Sequence, residues 1–186
     1  MSAGHGAGHV DPANRKVALF IAVLALVLAF SETLGKAAQT SALAYHIESS
    51  NLWSFFQAKT IRQTTIRTAA EEMEAQYGQK APEAVKKQVE AWKKTAERYQ
   101  SEPETNEGRK ELMARAKDGE AKRDRAMSAY HNYEIASAAV QIAIVLASAE
   151  IITGVAALLW IAYALGAIGV AFSLIGLLWP TAVHLF

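Results

Sequence analysis

The sequence predicts an all-α membrane protein with three transmembrane helices and a long extramembrane helical hairpin, or coiled-coil stalk, between the first and second. Three observations carry that prediction. Apolar stretches fill residues 17–34, 135–153 and 155–179, and a helix needs about 20 such residues to cross the hydrocarbon core. Charge is confined between the first two: 17 of the 19 Lys and Arg, and 15 of the 18 Asp and Glu, lie from Gly35 to Glu134. No segment keeps the two-residue alternation of a half-buried strand.

Taken in order, residues 1–14 (MSAGHGAGHVDPAN) are rich in Gly, Ala and His without periodicity and are expected to form a disordered tail. Transmembrane helix 1 is placed at 15–34. Arg15 and Lys16 ahead of an apolar run also resemble a signal peptide, and the Ala-rich stretch after Lys36 leaves cleavage open; the multi-pass reading is preferred. Between 35 and 77 there is no proline and a single glycine at the start, which predicts one continuous helix. GQKAP at 78–82 breaks it, and Pro82 opens the next helix where its missing N–H costs nothing. Val85, Val89, Trp92, Ala96 and Tyr99 then form a heptad stripe. SEPETNEG at 101–108 is a second break with a capping residue for a helix starting near Glu107, which runs into transmembrane helix 2 at 135–153. Transmembrane helix 3 occupies 154–180, followed by a short tail at 181–186.

Length favours the hairpin. Residues 35–77 make about 65 Å of helix, and the return segments 83–100 and 107–134 together make roughly 70 Å at the same rise. A three-helix bundle folded back toward the bilayer is the alternative.

The spans carry small residues on one face: Ala18, Ala22, Ala25 and Ala29 in the first; Ala139, Ala143 and Ala147, continuing to Gly154, in the second; Ala162, Gly166, Gly169, Ser173 and Gly176 in the third. Such faces allow close backbone approach in lipid, where the hydrophobic effect does not drive helices together. Glu32 and Glu150 extend the first two faces. Ionisable groups in a span point to function by default, so an ion-conducting oligomer using Glu32 or Glu150 is one reading. The other is structural, with Glu32 paired to Lys36 one turn on and Glu150 near Arg15 and Lys16. Gln141 is a candidate interhelical hydrogen-bond donor.

Chemistry is sparse. There is no cysteine, hence no thiolate metal site or cysteine nucleophile. No GxSxG, P-loop, GxGxxG or HExxH occurs, and no catalytic residue, metal or cofactor is expected. His5 and His9 lie on a tail that offers no preformed metal site. His131, between Tyr130 and Tyr133, reads as an interfacial aromatic belt. A net charge of +1, with the basic residues interleaved among acids, argues against nucleic acid. Trp53, Phe55, Phe56, Gln57 and Lys59 form an aromatic–polar cluster too wide for one partner helix. It is either the base of the stalk, packed near Met127 and Tyr130, or an interface with another subunit.

The strings WSFFQAKTIR at 53–62 and QIAIVLAS at 141–148, with GRKELMARAK at 108–117 and YHNYEIASA at 130–138, resemble the bacterial family of domain of unknown function 4337, in its alphaproteobacterial form. The likeness covers roughly 15–180. It implies a small bacterial inner-membrane protein with a helical extramembrane segment, and brings no activity or cofactor. Positive charge points both ways: Arg15 and Lys16 toward a cytoplasmic N-terminus, and Lys122, Arg123 and Arg125 toward a cytoplasmic stalk, the latter being favoured. The expected function is association in the bilayer, with itself or another membrane protein, as a homo-oligomeric scaffold or accessory subunit.

Overall fold

The computed structural model describes residues 12–183, and no strand occurs among them. Most of the tail expected at 1–14, with His5 and His9, lies outside the described residues, as does His184. Four α-helices follow one another: α1 (Pro12–Tyr77), α2 (Glu83–Gln100), α3 (Arg109–Thr153) and α4 (Ala156–Leu178), with a 3-10 turn at Gly78–Lys80 between the first two. Helices α1, α3 and α4 are each long and apolar enough to cross a membrane. The chain divides into two compact units, Met1–Ser41 with Arg125–Phe186 and Ala42–Asp124.

In the first unit the beginning of α1, the end of α3 and all of α4 share one core of Val17, Leu24, Val140, Ala143, Ala147 and Ala162. Gly154 closes α3 with φ +68° and donates its N–H to the Glu150 carbonyl at 2.7 Å. This left-handed cap suits glycine and turns the chain directly into α4. Ala162, Gly166, Gly169 and Gly176 of α4 are buried, and Ser173 is half-buried. A Cβ at Gly166 would lie 3.0 Å from Leu24 Cδ2, and one at Gly169 would overlap Val140 Cγ2 and lie 3.1 Å from the Ala136 carbonyl oxygen. Each glycine is thus a hole that a branched side chain of a neighbouring helix fills.

That complementarity corrects the expectation for the first span. Ala18, Ala22, Ala25 and Ala29 are exposed, whereas Val17, Leu24 and Ser31 turn inward. The glycines of α4 already provide the concavity, so α1 turns Leu24 and Phe20 toward them and leaves these alanines outside. The outer surface is apolar, with Leu19, Val23, Leu26, Phe30, Val145 and Leu174 all exposed, as a lipid-facing surface requires. Trp160 and Trp179, 73% and 66% exposed, are separated by about 28 Å of helix rise. This matches a hydrocarbon core of about 30 Å with an aromatic residue at each boundary.

In the second unit α2 runs antiparallel to the end of α1, tied by Lys93 to Glu74 at 2.6 Å. The start of α3 lies against the preceding part of α1, where a Cβ at Gly119 would sit 3.2 Å from Ser49 Cβ. Gly78, at φ +51°, makes the turn out of α1, and the Pro82 carbonyl accepts the first bonds of α2 from Val85 and Lys86. On α2, Val89 and Ala96 are buried and Val85, Trp92 and Tyr99 half-buried. Helix α3 begins at Arg109, two residues past the expected Glu107. The group that closes the corner comes from inside the helix. Glu111 accepts from Ser101 Oγ at 2.6 Å and from the Glu102 N–H at 3.2 Å. The Ser101 hydroxyl is the main cause holding the Glu111 carboxyl below its ordinary range. A Cβ at Gly108 would collide with Glu111 and the Glu102 backbone, and lie 2.7 Å from Ser101 Cα. The corner therefore closes only over glycine.

Candidate functional site

Two clusters gather most of the residues singled out in the sequence. The first lies in the first unit, where α1 and α3 leave their apolar stretches. A groove of about 420 Å³ runs between them, its polar lining made by Glu32, Lys36, Gln39, Tyr130, Glu134 and Gln141, with Gly35, Tyr133 and Ala138 among the rest. Gly35 permits the approach, since a Cβ there would stand 3.2 Å from Tyr133 Cβ. Gln141 Nε2 donates to Glu32 Oε1 at 3.1 Å, which joins two of the polar residues that the sequence placed within the apolar stretches. The expected Glu32–Lys36 pair does not form: among the described residues neither side chain has an ion-pair partner, and the Glu32 carboxylate instead accepts from the amide of α3. Across the groove, Glu134 accepts from Tyr130 Oη at 3.4 Å and stands 3.6 Å from His131 Nδ1.

Beside this groove the helices are joined by polar contacts that the sequence did not reveal. Ser31 Oγ and Ser173 Oγ are 2.7 Å apart in a hydrogen bond that either can donate, and each also reaches the carbonyl four residues back. Asn132, 1% exposed, donates to the Ser128 and Pro180 carbonyls at 2.9 Å and so fastens the end of α4 to α3. Glu150 stands apart, with a buried Oε2 that has no hydrogen-bond partner. Arg15 and Lys16 are exposed, and among the described residues neither forms the ion pair with Glu150 that the sequence suggested.

The second cluster is in the second unit. Leu52 packs with Leu112 and Ala116 of α3, and Trp53 and Phe56 lie against that core. Trp53 Nε1 donates to Glu120 Oε1 at 2.9 Å. The partners of the aromatic cluster are thus at 112–120 rather than the expected Met127 and Tyr130, because α2 takes only the outer part of α1 and α3 meets the rest in a different register. Phe55 and Gln57 are exposed. Lys59 is 5% exposed, with its ammonium 3.4 Å from Glu102 and 3.7 Å from Glu107 and close to the rings of Phe55 and Tyr99. Buried and paired, it offers no charge to a partner.

Arg109, the first residue of α3, is the centre that sequence reasoning missed. Its guanidinium lies over the Phe56 ring, bonds Thr60 Oγ1 at 2.8 Å and Gln100 Oε1 at 3.0 Å, and bonds the buried Gln63 side chain. Gln63 in turn donates to the Ala96 carbonyl at 2.9 Å. The cluster joins α1, α2 and α3 at one point. Among the described residues no group of three or more His, Asp or Glu side chains is placed to hold a metal ion.

The profile of the family described as Domain of unknown function (DUF4337) matches residues 13–179. The chain belongs to this family. No curated protein and no solved structure matches it. Membership in DUF4337 accords with the membrane-length helices and assigns no chemistry to either cluster.

Proposed function

We propose that this DUF4337 protein works by association, as a homo-oligomeric scaffold or accessory subunit of a complex in the bacterial inner membrane. In this reading α1, α3 and α4 cross the bilayer, and residues 42–124 form a helical hairpin stalk on the cytoplasmic side, without catalytic activity of their own. One observation carries the reading. In the second unit α1 leaves Leu43, Ile47 and Ile61 exposed, at 59%, 52% and 67%. Together with the exposed Ser54, Ala58 and Thr65, they recur at steps of 4, 7, 4, 3 and 4, which is one helical face. That face bears no charge, and uncovered aliphatic side chains in water mark an interaction surface. A helix of the same periodicity covers such a stripe best, and a second copy of α1 supplies one. The exposed alanines Ala18 to Ala29 give α1 a second uncovered face within its apolar stretch. Trp53, Phe56 and Lys59, turned inward, play no part in the association; Phe55 and Gln57 are open to it.

The absence of cysteine makes the test direct. Single Ile47→Cys and Ile61→Cys variants, oxidised in membranes, should give disulfide-linked dimers, while Glu104→Cys should not. Native mass spectrometry of the gently extracted protein should show a repeated single mass. Monomer masses with no cross-link at either isoleucine would defeat the proposal, and a mixed complex would recast the face as the contact for a different subunit.

A further inference from the structure

We infer that the groove between α1 and α3 in the first unit binds the headgroup of a phospholipid carrying a primary amine. Position comes first. The groove opens where the apolar stretch of α1 ends at Leu34 and that of α3 begins at Ile135, the depth at which headgroups lie. Its volume of about 420 Å³ suits a polar headgroup, and Gly35, Tyr133 and Ala138 add an apolar part to its lining.

Charge then selects among headgroups. The lining contains two carboxylates, Glu32 and Glu134, and one ammonium, Lys36, a formal sum of −1. An anionic headgroup meets more repulsion than attraction there. A zwitterion fits: its ammonium donates to the carboxylates, and its phosphate meets Lys36, which has no ion-pair partner among the described residues. A primary ammonium has three N–H donors and makes charge-assisted hydrogen bonds to carboxylates and to a neighbouring amide oxygen such as that of Gln141, which stands beside Glu32. A trimethylated ammonium has no N–H and forfeits them. Gln141, by bonding one oxygen of Glu32, fixes the carboxylate at the groove wall.

The test is titration of the delipidated full chain with short-chain phosphatidylethanolamine, phosphatidylcholine or phosphatidylglycerol, read as lipid-bound mass by native mass spectrometry. Phosphatidylethanolamine should bind about tenfold more tightly than phosphatidylcholine, the preference expected from one charge-assisted hydrogen bond. Glu32→Gln keeps an acceptor for Gln141 but removes the charge, and should abolish most of that preference, whereas Glu150→Gln should leave it intact. Equal binding of the ethanolamine and choline lipids by the unmodified protein, or a preference for phosphatidylglycerol, would overturn the inference without recourse to any variant.

Discussion

Gly169→Ala probes the packing of α4 with a single methyl group. An added Cβ overlaps Val140 Cγ2 and lies 3.1 Å from the Ala136 carbonyl oxygen. Val140 is fully buried and, being β-branched, has no low-energy rotamer change available on a helix. The methyl must therefore be accommodated by moving α4 away from α3. Overpacking of this kind costs about 1–3 kcal/mol, and in lipid no hydrophobic gain offsets it, because the separated helices are solvated by apolar chains. Val140→Ala alone removes two buried methyls and loosens the same contact, at a cost of about 1–2 kcal/mol. The two changes should not add. With Val140 shortened, the overlapping atom is gone and only the 3.1 Å contact to the Ala136 carbonyl remains. The double variant should then be more stable than the sum of the single costs predicts by at least about 1 kcal/mol, well outside the ~0.5 kcal/mol scatter of independent sites. The assay is reversible unfolding in mixed micelles, run as a double-mutant cycle. Additive costs, or a neutral Gly169→Ala, would refute the view that glycine holes set the spacing of α3 and α4.

Two further outcomes follow from the second unit. Because the Glu111 carboxyl is held below its ordinary value, chiefly by Ser101, its contribution is complete above the unfolded value of about 4.3. It is lost as pH falls through the folded value, so acid unfolding of the wild type should be steeper below pH 4.3 than that of Glu111→Gln, measured by circular dichroism. Trp53→Phe keeps the ring against Leu112 and Ala116 but deletes the 2.9 Å bond to Glu120. It should cost about 1 kcal/mol in thermal melts and leave any oligomer mass unchanged.

How much of this was readable in advance depended on whether periodicity alone determined the outcome. The 4-3-4-3 spacing of Ala162, Gly166, Gly169, Ser173 and Gly176 specified which face of α4 was small, and that face is the one turned inward. The stripe of α2 was likewise visible, with Val89 and Ala96 buried. Lys59, Gln63 and Arg109 were not readable as a centre. A charged or amide side chain on a helix is solvated by default, and what draws these inward is supplied by partners as far as 53 residues away in sequence, such as Phe56 for Arg109. Ser31 and Ser173, 142 positions apart, posed the same difficulty. Periodicity gives a residue's place on its own helix; it does not name the atom opposite.

That limit has a physical consequence for the small faces. A stripe of Ala and Gly states how closely a helix can be approached, not by which helix. Helix α4 resolves the ambiguity within the chain, because its glycines accept Leu24, Phe20 and Val140; the alanines of α1 are left over on the outside, between the exposed Leu19, Val23, Leu26 and Phe30. In lipid that residual face carries no hydrophobic penalty for staying uncovered, so its exposure alone argues little. The aliphatic side chains Leu43, Ile47 and Ile61 belong to the second unit, which carries most of the chain's charge; in the reading proposed above that unit stands in water, where exposure does cost free energy, at about 25 cal/mol per Å² of apolar surface. The force that would bring two copies together thus resides outside the apolar stretch of α1, and the alanines Ala18 to Ala29 would permit the approach rather than drive it. Substituting the isoleucines with glutamate should therefore dissociate the assembly, whereas enlarging one alanine to leucine should only weaken it.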